Sequence, residues 1–245
     1  MIYDANDYIT ELYERLQKSQ KDIDLMRFYE FLIAQIADKI FCVSESNIES
    51  FKKLGAASHK LTLLDNGANL AEHSSLENKR DICFIGNNYY LPNEIAVKSI
   101  KEIIAPFILK KDPSIKLFII GGTPEYLKKD APRNMIFLGQ VHSLDAIYNN
   151  VRMGICPLQQ GSGTRIKILE WMANGIPVIS TFVGAEGLNV IDGVNIILHD
   201  NINTFAQAIL NNYNDIQKLE NIRKNAHNLV KEKYTWQSIV KKISI

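Results

Sequence analysis

The amino-acid sequence predicts an α/β protein with one complete doubly wound parallel sheet, a Rossmann domain, preceded by a partial α/β lobe. From residue 81 onward, short apolar, β-branched runs alternate with stretches of helical periodicity, a pattern typical of a parallel sheet covered on both faces. The 245 residues are 46% hydrophobic and 22% charged, which is enough to bury one substantial core and part of another. Only three strand-like runs precede residue 81, too few for a second domain of ordinary size.

The partial lobe is expected in the first third of the chain. Its strand-like runs are MIYDAND, KIFCVS and KLTLLDN, and helices are expected around residues 7–35 and 46–54. The polar stretch AEHSSLENKR, residues 71–80, is the expected linker. A DxD-like triplet, Asp22-Ile23-Asp24, could suggest a metal site, but it stands in a stretch typical of a solvated helix, and that interpretation is favoured.

The complete lobe is expected to contain six parallel strands with crossover helices. The strand-like runs are DICFIGN, IKLFIIGG, NMIFLGQ, MGICPL, PVIST and VNIILHD. Helices are expected to begin near Pro92, Thr123, Ser143 and Thr164, with a longer helical tail from about Asn203. In such a sheet a ligand binds beyond the carboxyl ends of the strands.

The segment GSGTRIKILEWMANGIPVIST, residues 161–181, has the composition of an anion-binding turn and helix. Gly161 and Gly163 permit a tight turn and close approach of a ligand, because glycine reaches φ values barred to other residues. Thr164 is expected to cap the following helix, whose free amides and dipole favour an anion. Arg165 and Lys167 add positive charge.

Further along the same helix, Glu170 is spaced to accept hydrogen bonds from a ribose diol. Asn174-Gly175 is expected to end the helix, and Pro177 to open a buried strand. A turn and helix without any ligand is the alternative: GSG is not a full GxGxxG, since Ile166 stands in place of the third small residue, and GxxxxGK[ST] is absent from the sequence. Lys167 could equally form a surface salt bridge with Glu170.

Composition narrows the function classes. A net charge of +1 without a long basic run argues against a nucleic-acid partner. Cys42, Cys83 and Cys156 lie in apolar runs and are expected to be reduced core thiols. The N-terminus lacks a signal-peptide core and no apolar run reaches transmembrane length, so we expect a cytoplasmic protein. FKKLG and ILKKD could touch the inner face of a membrane, although solvated helix ends explain them more simply.

Residues 161–181, with the preceding GICPLQQ and the following TFVGAEGL, resemble the donor-site signature of glycosyltransferase family 4 of the GT-B fold, in its GSGTRxKxLE-type subset. ADKIFCVSESNIESFKKLG and LLDNGAN resemble the end of that family's N-terminal acceptor-binding lobe. YTWQSIVKKISI resembles its final helix. The resemblance implies a truncated acceptor-side lobe over residues 1–68, a nucleotide-sugar-binding lobe over 69–230, and a C-terminal helix over 231–245 that crosses back to the first lobe.

The resemblance implies a retaining-type, metal-independent glycosyltransferase of surface-polysaccharide assembly. It would move a sugar from a nucleotide-diphosphate sugar to a glycan or lipid-linked acceptor without any cofactor beyond that co-substrate. Glu170 matches the second glutamate of the family's paired-glutamate motif, which resembles a ribose clamp, and the first falls at Ser162. Val141, after FLGQ, matches the position whose backbone usually pairs with the nucleobase. The implied donor-binding residues are Gly86, Asn87, Val141, Gly161, Ser162, Gly163, Thr164, Arg165, Lys167 and Glu170, with Gly184, Ala185 and Glu186 on the far wall of the donor pocket.

Relatives often carry a histidine in a DAHD-like segment of the first lobe, where this chain has Asp4-Ala5-Asn6-Asp7. Asn6 cannot act as a base at neutral pH, so no catalytic residue is assigned. Asp4 and Asp7 are candidates for acidic groups at the cleft, and equally for N-terminal helix caps. His142 is expected to be an ordinary loop residue.

Two other function classes remain open. One is a nucleotide-sugar-binding module or remnant that is inactive alone, or active only with a partner chain that completes the N-terminal lobe. The other is an unrelated Rossmann oxidoreductase. The second is disfavoured, because the first strand of the complete lobe ends in FIGNNYYLP rather than in a glycine-rich fingerprint.

Overall fold

The computed structural model describes residues 1–72, 75–161 and 163–241, and their strands form two parallel sheets. The smaller sheet has the order β1-β2-β3, so the three expected strands of the first lobe are confirmed. The expected helix over residues 7–35 is two helices, because the chain turns at Gln17, with φ 52°, and Ser19 caps a new helix. The elements are β1 Ile2–Ala5, α1 Ile9–Arg15, α2 Gln20–Ile36, β2 Lys39–Cys42, α3 Glu45–Lys53 and β3 Leu61–Leu63.

Glu30 of α2 accepts hydrogen bonds from the backbone amides at the start of α1. Its carboxylate accepts hydrogen bonds from the backbone amides of Ile9, at 2.6 Å, and Thr10, at 3.1 Å. The prediction that Asp4 or Asp7 caps this helix is therefore wrong. Asp4 lies within β1, and Asp7 accepts the amide of Tyr8, at 2.8 Å, where Tyr8 itself holds the N-cap position.

The larger sheet contains the six expected strands in the order β6-β5-β4-β7-β8-β9, all parallel. The chain winds outward from β4 to β6 and then returns to the other side of β4, so the topological switch point lies between β4 and β7. The elements are β4 Asp81–Ile85, α4 Leu91–Ser99, α5 Ala105–Lys111, β5 Leu117–Ile120, α6 Glu125–Lys128, β6 Met135–Gly139, α7 Asp145–Tyr148, β7 Val151–Cys156, α8 Ile166–Ala173, β8 Val178–Ser180, β9 Ile197–Leu198, α9 Ile202–Tyr213, α10 Ile216–Leu229 and α11 Trp236–Val240.

Helix α8 follows the loop after β7 and ends as expected, since Asn174 is its C-cap and Gly175 has φ 62°. Its beginning differs from the prediction. The N-cap position is held by Arg165, without a side-chain cap bond, and Thr164 is not the cap. The Thr164 hydroxyl instead donates to the backbone carbonyl of Val43, at 3.0 Å, and so joins the two lobes.

The core of the six-stranded sheet is centred on β7, which is buried at every position, and on Trp171 of α8. Trp171 lies against Gly154 of β7, because a Cβ at Gly154 would stand 2.6 Å from the indole ring. Cys42, Cys83 and Cys156 are buried free thiols, as the sequence predicts. Within the described ranges, none of the helices is both long and apolar enough to cross a membrane.

The chain after α10 returns to the segment that joins the two sheets, residues 64–80, which is the linker of the structure and begins earlier than the expected residues 71–80. The Ala68 amide donates to the Tyr234 carbonyl, at 2.8 Å, and Ala68 forms a parallel bridge with Thr235. The indole of Trp236 lies against Gly67. The division of the chain at residues 68 and 230 stays a prediction.

Replacing Gly154 with alanine is expected to lower the free energy of unfolding by about 1–3 kcal/mol, because the new methyl group overpacks a core in which Trp171 is fully buried. The control is Gly122→Ala, where the nearest atoms belong to the exposed and movable Tyr89 ring, at 3.2 Å. Urea unfolding followed by circular dichroism compares the two variants. Equal stability of both would show that the Gly154–Trp171 contact is not a tight constraint.

Candidate functional site

The candidate site lies at the carboxyl ends of β4 and β7, on either side of the switch point. The chain leaves β4 through Gly86 and Asn87. A Cβ at Gly86 would meet the Asn93 amide and the Lys167 ammonium, which shows how closely α4 and α8 approach this turn. The neighbouring β5 is followed by Gly121, with φ 109°, where a Cβ would overlap the Gly86 carbonyl oxygen. Bare backbone is thus required at this edge of the sheet.

The loop after β7 has the backbone geometry that its glycines predict. Gly161 has φ 135° and Gly163 has φ 74°, values that other residues rarely adopt. Ser162, between them, lies outside the described residues. The Arg165 guanidinium donates to the Gly163 carbonyl, at 2.7 Å, so that its positive charge lies beside the loop.

Lys167 lies behind this loop and is held by α4. Its ammonium donates to the Asn93 side-chain oxygen, at 2.8 Å, and stands 4.3 Å from the centre of the Phe84 ring. Asn93 in turn donates to the Asn87 carbonyl, at 3.0 Å. The partner of Lys167 is thus Asn93 rather than Glu170. Burial, and to a lesser degree the nearby Arg165, lowers the pKa of Lys167 to about 8.

A cavity of about 270 Å³ separates this cation pair from the first lobe. Asn6 and Asp7 line it on one side, and Arg165, Lys167 and Tyr90 on the other. Burial raises the pKa of Tyr90, as does the neighbouring Asp7 carboxylate. The cavity therefore brings the Asp4–Asp7 segment of the sequence opposite the cations of the glycine loop.

A second cleft, of about 530 Å³, adjoins this cavity at Ile166, which lines both. Glu170 and Val141 line it, so the structure brings together the two residues that the resemblance assigns to ribose and base. Glu170 is half-buried, and burial raises its pKa. We call these two neighbouring spaces the groove along α8; they share Ile166, and Lys167 lines one of them and Glu170 the other.

The first lobe is joined to the glycine loop through Arg15 of α1. Its guanidinium donates to the Gly161 carbonyl, at 2.6 Å, and to both carboxylate oxygens of Glu186, at 2.6 and 2.9 Å. Glu186 lines a third cavity together with Arg15, whereas the groove along α8 lies elsewhere. Gly184 packs tightly on Ser180 and the Cys156 carbonyl. The assignment of residues 184–186 to the far wall of a donor pocket stays a prediction.

Sequence reasoning missed three residues of this region: Asn93, Arg15 and Trp236. Asn93 stands in the first turn of α4 after Pro92, a position that usually suggests helix initiation rather than a partner for a buried lysine. Arg15 is one of many charged residues on helical segments, and its partners lie about 150 residues away in sequence. The sequence places Trp236 only in a final bracing helix, although it lines the same cleft as Glu170.

The described part of the chain contains no candidate metal centre. No three or more His, Cys, Asp or Glu side chains there are arranged to hold an ion. The triplet Asp22-Ile23-Asp24 lies in the first turns of α2, where Asp22 and Asp24 hydrogen-bond to Ser19, Gln20 and Arg27.

Comparison with known families decides the membership of this chain. The model of the family described as Glycosyl transferases group 1 matches residues 79–215, more than half of the chain. The chain belongs to this family. A curated relative, the "Uncharacterized 44.6 kDa protein in cps region" of Klebsiella pneumoniae, is 29% identical over 174 residues, which are 66% of this chain and 45% of the relative.

Solved structures agree on the fold. Alr3699/HepE of Anabaena, crystallised with UDP and glucose, superposes with a TM-score of 0.77 at 15% identity, over 98% of this chain and 69% of that protein. A mutant of TarM from S. aureus, in complex with fondaparinux, alpha-GlcNAc-glycerol and UDP, superposes with a TM-score of 0.80 at 17% identity, over 98% of this chain and 49% of that protein. Sucrose-phosphate synthase of Thermosynechococcus elongatus superposes with a TM-score of 0.75 at 17% identity, over 98% of this chain and 65% of that protein.

These likenesses confirm the GT-B-like α/β fold that the sequence predicts. The chain spans about half the length of the curated relative that it matches. The residues that match the family model, 79–215, include most of the lining of the groove along α8. The remaining lining residues belong to the first lobe, the linker and α11.

Proposed function

We propose that this chain holds the nucleotide-diphosphate sugar for a glycosyltransferase that transfers the sugar to a glycan or lipid-linked acceptor. The observation that carries the proposal is the pair of neighbouring spaces along α8, with the Lys167 cation in the lining of one and the half-buried Glu170 carboxylate in the lining of the other. Two solved structures of the same fold contain UDP, one with glucose and one with alpha-GlcNAc-glycerol, and the curated relative comes from a cps region.

The diphosphate is assigned to the end of the groove that contains Lys167 and Arg165. A hydrogen bond to a charged group contributes about 1.5–3 kcal/mol, so these cations and the loop amides can hold a diphosphate. During transfer, negative charge builds on the leaving diphosphate, and fixed cations stabilise that charge. We therefore propose metal-independent transfer without a further cofactor.

The ribose is assigned to Glu170, whose carboxylate can accept hydrogen bonds from both hydroxyls of a diol. The base would then lie toward the backbone of Val141, which lines the same cleft. The donor-binding set we propose is the one that the family 4 resemblance implies, with Asn93 added because it fixes Lys167. Asn87 contributes the carbonyl to which Asn93 donates, and Gly86 leaves the space that the Asn93 amide occupies.

The acceptor would enter through the cavity between Asn6, Asp7 and the cations, since that cavity lies between the lobes. Retention of configuration and hexosyl transfer are parts of the proposal that rest on the family 4 resemblance. A location in the cytoplasm, at the inner face of the membrane, suits a lipid-linked acceptor.

Calorimetry with UDP and GDP tests donor binding. Glu170→Ala and Arg165→Ala are each expected to weaken binding about 10- to 100-fold, because each removes a charge-assisted hydrogen bond to the ligand. Glu102→Ala, which removes an exposed carboxylate between α4 and α5, is the matched control and should bind as the unmodified chain does. If neither nucleotide binds, or if Glu102→Ala has the same effect as Glu170→Ala, the assignment is wrong.

Nucleotide affinity is expected to fall as the pH rises above 8. Lys167 has its pKa lowered to about 8 in the free protein, and a bound diphosphate favours the charged form, so binding above pH 8 requires uptake of a proton. The affinity should fall by up to about tenfold per pH unit, while the diphosphate group of the nucleotide, with a second phosphate pKa of roughly 6, no longer titrates.

Binding of UDP measured from pH 7 to pH 9.5 checks this expectation. Lys167→Arg keeps a charge at every pH and should abolish the decline. Lys98→Arg, at an exposed position of α4, should leave it unchanged. A flat pH profile in the unmodified chain would mean that Lys167 does not contact the diphosphate.

A second candidate function is a donor-binding module that needs further polypeptide to complete the first lobe. The specific observation is an apolar stripe on α2, opposite the side that contacts its own core. Ile23 and Ala34 are buried, whereas the large side chains of the stripe are 37–63% exposed. The stripe consists of Leu25, Phe28, Tyr29, Leu32 and Ile36.

Edge strand β1 lies in the same lobe, and its side chain Ile2 is 67% exposed. An unpaired parallel edge and an apolar helix face both favour association with another chain. Light scattering is expected to show self-association of the isolated chain, and Phe28→Glu with Leu32→Glu should reduce it. Lys21→Glu, on the same helix, is the control. A monomer at all concentrations would count against this candidate.

A further inference from the structure

We propose that Trp236 is the aromatic surface on which the base of the bound nucleotide stacks. The inference rests on the proposed function, because it extends the same groove beyond Glu170. It assigns to the C-terminal segment a part in ligand binding, in addition to its packing against the linker.

The position of Trp236 is the first step. It lines the 530 Å³ cleft together with Val141 and Glu170, the residues assigned to base and ribose. Gly67 covers part of the indole, since a Cβ there would stand 2.6–2.9 Å from three ring atoms. The side chain is nevertheless 49% exposed. One part of the ring is therefore held by the linker, and another part is available to the cleft.

The second step is the rigidity of the ring. Trp236 is the first residue of α11, and Thr235 caps this helix by accepting the amide of Ser238, at 3.2 Å. The Ala68 amide donates to the Tyr234 carbonyl, at 2.8 Å, directly before the helix. A ring fixed in this way gives contact area without ordering a flexible side chain on binding, as expected of a binding surface.

The third step is the charge of the cleft. Arg165 and Lys167 line the neighbouring cavity, whereas the described residues that line this cleft include no lysine or arginine. They do include three asparagines, Asn66, Asn69 and Asn174. A neutral planar group with hydrogen-bond donors and acceptors on its edge fits these surroundings, and a phosphate does not. A nucleobase is that part of the proposed ligand.

Tryptophan fluorescence tests the proposal directly. The chain has two tryptophans, and Trp171 is fully buried, so quenching on nucleotide addition reports on Trp236. UDP and GDP are expected to quench the unmodified chain. Trp236→Phe should remove the quenching while calorimetric binding persists, because phenylalanine also stacks.

Affinity separates stacking from mere structural support. Trp236→Ala is expected to lose roughly 5- to 100-fold in affinity for UDP and GDP, the usual range for one base on one aromatic ring. Its affinity for pyrophosphate, which has no base, should be unchanged. Tyr126→Ala, an exposed aromatic residue on α6, is the control. Circular dichroism establishes that each variant is folded.

The outcomes distinguish this inference from the function on which it rests. If UDP binds in a Glu170-dependent manner but Trp236 is not quenched and Trp236→Ala binds normally, the stacking surface is excluded and the donor site stands. If Trp236→Ala weakens pyrophosphate and UDP equally, Trp236 acts only through the fold. If no nucleotide binds the folded chain, both proposals fail together.

Discussion

The contact of Arg15 with Glu186 and the Gly161 carbonyl is the constraint on which the geometry between the lobes depends. One guanidinium spans both carboxylate oxygens and the first carbonyl of the glycine loop, so it fixes the loop and α1 together. Such bidentate pairs are geometrically specific. The Thr164 bond to Val43 adds a second tie on the same loop. The small sheet is consequently held to the loop whose backbone forms the candidate site.

The Lys167 ammonium lies behind the glycine loop and is largely removed from water. An ammonium beside an aromatic ring and a single amide oxygen is only partly compensated for the loss of water, and its pKa falls accordingly. A second cation, Arg165, lies close enough to lower it further. Under the proposed function, a bound diphosphate would favour the charged form of Lys167.

The sequence predicted those features that depend on local pattern. Apolar, β-branched runs predicted the nine strands found among the described residues, and Asn174-Gly175 predicted the end of α8, because strand alternation and helix termination are local properties. The nucleotide-site residues assigned by resemblance stay a prediction, although Val141 and Glu170 do share one cleft. The partners of side chains could not be predicted. The Thr164 hydroxyl donates to the Val43 carbonyl instead of capping α8, and Glu30 rather than Asp7 accepts the first amides of α1. Both hydrogen bonds join segments that are distant in sequence.

Under the proposed function, holding the donor and transferring the sugar place different demands on this chain, since the acceptor is assigned to the side of the first lobe. The groove along α8 is formed by the six-stranded lobe, the linker around Gly67 and α11, with Asn6 and Asp7 as the contribution of the first lobe. Those parts pack against one another. The acceptor side is formed by a three-stranded sheet whose helix α2 exposes an apolar stripe. Nucleotide binding should therefore depend little on what covers α2, whereas transfer should depend on it strongly.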